Sequence, residues 1–402
     1  MALRGKRRRR VTRALDGACV LGLVVLLLGL GFSEAAKSIG LALSVLALIC
    51  RVAIGGRIDL RGGGTLFFLG LYVAATALSI AVAPAGLTSW DELLTVLITV
   101  AVFPVLADVC ARRPSRRVVF TYVAIAGAAI AAVLGYADHM LGEYVRLVLP
   151  SIENAIPAGE YLAASIALTV SVLLIEAGAS LVGPLLGLSL GLSVLVLFMT
   201  KSRGPVLGAA AGAITALGLG FRRRRVPALA TALIVACAAV FGLSNPGSRL
   251  VKEGVLHSRS AENRLKTWRA SADFISERPL LGHGAGSFAS LNIRFTDEVG
   301  VEWEQNAHNV LLHELVETGV LGAFALVGFV VFGLRDIVRA VRRSRWRLDR
   351  AISAGSLAGV VSLLVCGLFS VSTDAEPGIL FFALMALGAS APGAAGEDSE
   401  DD

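Results

Sequence analysis

Two arginines, a tryptophan and a histidine carry the chemistry that this sequence can support. His308 stands in Ala307-His308-Asn309-Val310-Leu311-Leu312, where the one long polar stretch runs into an apolar one. An imidazole with an ordinary pKa of about 6.5 accepts a proton near neutral pH, which suits general-base work. Arg264 and Trp268 are four residues apart in the stretch 262–275, where Leu265, Trp268, Ala272 and Ile275 recur at helical spacing. An amphipathic helix there sets Arg264 and Trp268 side by side. A helix resting on lipid headgroups would show the same pattern. Arg203 lies in Thr200-Lys201-Ser202-Arg203-Gly204-Pro205, a tight turn between apolar runs. Pro205 suits the first turn of the next helix. Guanidinium groups hold oxyanions by planar two-point contacts. Snorkelling to the membrane surface is the plainer role open to Lys201 and Arg203.

Other residues read as structural. Asn309 or Asn306 can cap the helix that starts after His308. His313 and Glu317, four apart, can pair on that helix, and Gly319 and Gly322 permit close helix packing. Pro279 ends the amphipathic helix, and Gly282-His283-Gly284-Ala285-Gly286 turns the chain. No strand precedes that glycine run, so a nucleotide-binding reading is poor. His139 and His257 have no evident partner. Asp374-Ala375-Glu376 stands alone, and no convincing metal-ligand constellation is found. No cofactor is expected.

The elements that must position these residues are membrane helices. Hydrophobic residues make up 55% of the 402 and the mean hydropathy is +0.75. The apolar residues come in runs of roughly 18–22, enough to cross about 30 Å of hydrocarbon as helices. The fold class expected is an all-α polytopic membrane protein. Twelve spans are read at 14–32, 36–54, 64–83, 91–111, 117–136, 160–177, 179–199, 204–221, 226–244, 309–334, 351–371 and 376–392. The first run could be a signal peptide, but its length suits an uncleaved helix. This divides the chain into a nine-helix bundle over 1–244, a loop over 245–308, three helices over 309–392 and an acidic, disordered tail over 393–402.

Most of the 37 Lys and Arg residues cluster in alternate connections, at 4–13, 112–117, 222–225 and 335–350. The positive-inside rule then puts both termini in the cytoplasm and the long loop outside, together with the shorter loop over 137–159. Clusters of this kind set topology, so the net charge of +7 does not point to nucleic acid. The five cysteines lie in or beside apolar runs without a CxxC pair, as buried structural thiols do.

The motifs together resemble the O-antigen ligase and polymerase superfamily of bacterial membrane glycosyltransferases. The resemblance rests on Arg264, Trp268 and Pro279-Leu280-Leu281-Gly282-His283-Gly284, on His308-Asn309-Val310-Leu311-Leu312 through Glu317 and Gly319, and on Ser202-Arg203-Gly204. It spans about residues 200–322, and the layout of twelve spans with one large loop extends it. It implies transfer of a glycan from an undecaprenyl-pyrophosphate carrier to a hydroxyl acceptor on the periplasmic face of the inner membrane. In that chemistry His308 is the base. Arg203 and Arg264 bind the pyrophosphate, Trp268, Asn309 and Lys201 support them, and no metal is required. O-antigen ligase, with lipid A–core as acceptor, is the leading version. A repeat-unit polymerase, with a carrier-linked acceptor, is the runner-up. A transporter or flippase is the reading from another class, but it predicts charges midway along several helices, and these spans have almost none.

Overall fold

A computed structural model describes residues 2–60, 62–84, 86, 88, 90–142, 146–176, 181–220, 259–291, 294–297, 300–303, 306–371 and 375–390. The expected ninth span at 226–244, His257, Asp374 and the acidic tail lie outside the described residues.

The apolar runs form helices close to where hydropathy placed them. They are α1 (Ala2–Gly29), α2 (Glu34–Ala53), α3 (Gly63–Val82), α4 (Trp90–Arg112), α5 (Arg116–Leu141), α6 (Ala155–Glu176), α7 (Val182–Met199) and α8 (Arg203–Gly220). After the undescribed segment come α9 (Arg259–Glu277), α10 (Val310–Glu317), α11 (Gly319–Arg343), α12 (Arg347–Gly367) and α13 (Ala375–Ala389). Among the described residues nine of these helices are long and apolar enough to cross a membrane, with α8 and α13 shorter apolar helices. The chain is a polytopic, nearly all-helical membrane protein. Side chains such as Phe67, Leu185, Leu188 and Phe324 stay exposed on it, as a lipid-facing surface requires.

Three departures from expectation follow from local chemistry. The tenth span, expected as one helix over 309–334, is two helices broken at Thr318 and Gly319, where Gly319 has a φ of +66°. The loop before it carries a two-stranded antiparallel hairpin, β1 (Arg294–Asp297) with β2 (Gly300–Trp303), which pairs Arg294 with Trp303. Helix α5 runs on to Leu141, so Asp138 and His139 belong to its last turn rather than to a loop; the Gly142 amide closes that turn on the Asp138 carbonyl at 2.9 Å.

The centre of the bundle is α12 packed on α6 and α8. Small residues let these backbones approach closely, the usual means of helix packing in lipid. A methyl group at Gly212 would stand 2.9 Å from the Ala358 carbonyl oxygen, and one at Gly359 would stand 3.2 Å from that of Ala164. One end of the bundle is closed by buried charge. Arg51 reaches Asp108 at 2.7 Å, Arg112 also pairs with Asp108, and the Asp59 amide donates to the same carboxylate at 2.8 Å. Buried Arg117 donates to the Leu387 carbonyl at 2.9 Å and to Ser353 at 2.7 Å. The other end carries the turn at 200–203, α9 and the break between α10 and α11.

Candidate active site

The Arg203 turn is rigid. Helix α7 ends as the Thr200 amide donates to the Val196 carbonyl at 3.1 Å, and Lys201 takes a left-handed φ of +54°. L-residues other than Asn and Asp seldom adopt that conformation, so it needs bracing. Arg146 provides the brace: Nε donates to the Thr200 carbonyl at 3.0 Å and Nη2 to Ser202 Oγ at 2.8 Å. Ser202 in turn donates to the Ala155 carbonyl at 3.1 Å. Arg203 is the first residue of α8, with Pro205 in its first turn as expected, and both Lys201 and Arg203 are exposed.

The His308 turn is built around two asparagines. His308 has a φ of +49°, and its amide donates to Asn306 Oδ1 at 3.0 Å. Asn309 caps α10, its Oδ1 accepting from the Leu311 and Leu312 amides at 3.0 Å each. The Asn309 side-chain nitrogen donates to the Leu368 carbonyl at 3.3 Å. Phe369, the next residue, lies against Gly204 beside Arg203. The segment that follows α12 therefore touches both the His308 turn and the Arg203 turn.

Helix α9 reaches the same turn from the other direction. The Trp268 indole donates to the Ala307 carbonyl at 2.9 Å, and Arg264 is one helical turn before it. The buried face of α9 differs from the expected apolar stripe. Leu265 and Ala272 are exposed, whereas Thr267 and Ser271 are fully buried. Their hydroxyls donate to the Asn263 and Thr267 carbonyls at 2.9 and 2.8 Å, which lets them be buried without loss. Ala270, Phe274 and Ile275 pack with Phe288, Ala307 and Val316.

The glycine-rich segment after Pro279 explains the broken helix. It fills the gap at Thr318 and supplies the hydrogen bonds that a continuous helix would have made. The His283 and Gly284 amides donate to the Val316 and Glu317 carbonyls at 2.9 and 2.8 Å. The Val320 and Leu321 amides donate to the Pro279 and Leu280 carbonyls at 2.8 and 3.2 Å. A methyl group at Gly282 would meet the Glu317 carbonyl oxygen at 2.4 Å, and the φ there is +65°, so this position requires glycine. Glu317 accepts from the Gly286 and Phe288 amides at 2.9 and 3.0 Å and lies 3.5 Å from His313, the pairing read from their spacing. Burial pushes its carboxyl up to about 7, against the opposing pull of those two amides.

A chain of contacts thus links Trp268, His308 and Asn309 with the Arg203 turn: Trp268 to Ala307, Asn309 to Leu368, and Phe369 to Gly204 beside Arg203; Arg264 is one turn before Trp268 on α9. Lys201 follows two residues before Arg203. His139 is away on α5, and His283 serves as a clamp whose Nε2 lies 3.0 Å from the Phe274 carbonyl oxygen. Sequence reasoning missed Arg146, Tyr72 and Glu314. Tyr72 donates to Glu314 at 2.8 Å across 242 residues of sequence, and no local pattern announces such a contact. No group of three or more His, Cys, Asp or Glu residues suited to a metal is found among the described residues.

The fold and site define a polytopic membrane protein with a polar, arginine- and histidine-bearing surface at one end of its bundle. Residues 188–327 match the family model of the O-antigen ligase domain, which supports an assignment to the O-antigen ligase superfamily. The match covers the Arg203 turn, α9, the hairpin, the His308 turn and the first part of α11. No curated protein sequence matches the chain.

Proposed function

We propose that the chain is an inverting, metal-independent glycosyltransferase that moves a glycan from undecaprenyl pyrophosphate to a hydroxyl acceptor, with O-antigen ligation onto lipid A–core as the first reaction to test. The observation that carries this is the contact chain that gathers His308, Trp268, Asn309 and the Arg203 turn from three separated segments. The division into a nine-helix bundle, a loop domain and three closing helices belongs to the same reading. So do cytoplasmic termini and an active site on the periplasmic face of the inner membrane.

The chemistry follows from the groups. The acceptor hydroxyl oxygen attacks the anomeric carbon and a new C–O bond forms there. The bond to the pyrophosphate oxygen breaks, and the configuration inverts. His308 takes the hydroxyl proton. Negative charge grows on the leaving pyrophosphate, where Arg203 and Arg264 stabilise it by charge-assisted, two-point contacts. The apolar bundle flanks the polyprenyl tail. A repeat-unit polymerase uses the same steps with a carrier-linked acceptor, and product analysis with each acceptor separates the two.

The test is His308→Ala. Transfer by purified, folded protein should fall by about 10²–10⁴-fold, the usual worth of a general base, while donor binding persists. Transfer within a few-fold of wild type would remove the base assignment. Lost donor binding would make His308 a pyrophosphate ligand instead.

A further inference from the structure

Beside the His308 turn lies a cavity of about 400 Å³, between α3, α4, α10 and the glycine-rich segment. Its size falls in the range of about 300–1,000 Å³ that small ligands occupy. Val100, Leu326 and Phe382 give it an apolar side; Glu92, Glu314 and Glu317 give it a polar one. Lys201, Arg203 and Arg264 do not line it.

The hydrogen-bonding capacity of the wall is one-sided. Thr76, Thr95 and Thr99 each donate to a carbonyl of their own helix, at 2.9, 3.1 and 2.9 Å. Tyr72 and Thr318 donate to Glu314 at 2.8 and 2.9 Å. The hydroxyl donors in the wall are thereby used, which leaves hydroxyl lone pairs and the Glu92 and Glu314 oxygens as its acceptors, with the Asn306 side-chain amide as a donor beside them. His313 also lines the cavity. It is nine-tenths buried, and its Nδ1 has no partner among the described residues. A buried ring nitrogen left in this way calls for a partner that is not part of the protein. An occupant that donates several hydrogen bonds and has an apolar face fits such a wall. A pyrophosphate, which only accepts and is negatively charged, does not.

We propose that this cavity is the subsite for the acceptor saccharide, whose hydroxyls donate to Glu92, Glu314 and the threonine oxygens. The inference rests on the transfer reading above. Asn306 is the link between the two. It lines the cavity and its Oδ1 holds the His308 amide, so the saccharide site and the base share one turn. The arrangement separates the substrates by charge: the phosphate-bearing donor at the arginines, the neutral polyol against the carboxylates.

Glu92→Gln and Thr99→Val test it, since both keep side-chain size and Glu92 is only half-buried. With donor and acceptor varied separately, each variant should raise the acceptor KM about tenfold and leave the donor KM within twofold. A raised donor KM, or no change in either, overturns the proposal. A second measurement works without turnover: saturation-transfer NMR on the detergent-solubilised protein with methyl glucoside, methyl galactoside, methyl mannoside and N-acetylglucosamine. At least one should receive saturation from wild type and lose it in both variants. No transfer to any of the four sugars, or equal transfer in the variants, overturns it. Variant-sensitive sugar binding in a protein that transfers no glycan would reject the transfer reading and leave the subsite standing.

Discussion

The two ends of the bundle hold their cations in opposite ways. At one end Arg51 and Arg117 are at most 2% exposed, and each is spent on partners inside the protein: Asp108 for one, Leu387 and Ser353 for the other. At the other end Lys201 and Arg203 are exposed, and among the described residues neither has a carboxylate partner. Their backbone is nevertheless fixed, by Arg146 and by a left-handed turn. A charge that is buried and paired serves the fold. A charge on a rigid turn, left facing outward, is already positioned for a ligand and loses little on binding one.

Exchanging the treatment of the two ends should expose this difference. Arg51→Ala leaves buried Asp108 with Arg112 as its only guanidinium, and should destabilise the protein by about 3 kcal/mol, the lower end for breaking a buried pair. Transfer per folded molecule should not change. Arg203→Ala should do the reverse, leaving the unfolding midpoint in detergent nearly unmoved while donor affinity drops at least tenfold. Similar losses of stability in both variants would erase the contrast.

Arg264→Lys sharpens it on the site side. The charge is kept, yet transfer should fall about tenfold, because an ammonium cannot make the planar two-point contact. Kinetics on purified protein decide the matter, and full activity would leave Arg264 as a headgroup anchor.

The smallest effect belongs to the joint between α10 and α11. Glu317 holds its proton more tightly when folded than when unfolded, so its contribution to stability is complete below about pH 4.5 and is lost as pH rises through about 7. Glu92, Glu314 and His313 line the same cavity as Glu317. Thermal unfolding followed from pH 5 to 7.5 should show a decline, and the slope should be shallower in Glu317→Gln. An equal slope in that variant would place the titration elsewhere.

What could be read from the sequence, and what could not, follows from how far each signal reaches. The spans were legible because apolar runs are local: α3, expected at 64–83, forms over Gly63–Val82, and α7, expected at 179–199, over Val182–Met199. The amphipathic helix and its stop at Pro279 were legible for the same reason. The break at Thr318 was not, because the residues around it are apolar enough to continue the helix. What breaks it is a set of carbonyls and amides from the segment after Pro279, nearly forty residues away in sequence. The glycines of that segment were visible as a turn, but their partner was not. The buried face of α9 was misread because Thr267 and Ser271 are polar by composition and yet satisfied within the helix. The acceptor-rich cavity draws on Tyr72, Glu92 and Glu314, three segments that only the fold brings together.

The central claim, that Arg203, Arg264 and His308 perform transfer rather than guide passage, is tested most directly by stoichiometry. Purified wild-type protein is given carrier-linked glycan and a hydroxyl acceptor in detergent containing EDTA, and free undecaprenyl pyrophosphate and joined product are measured together. One carrier pyrophosphate should be released for each glycan joined, with none formed by His308→Ala beyond the uncatalysed background. Product without carrier release, a requirement for added metal, or movement of intact carrier-linked glycan across a vesicle membrane without transfer would contradict it.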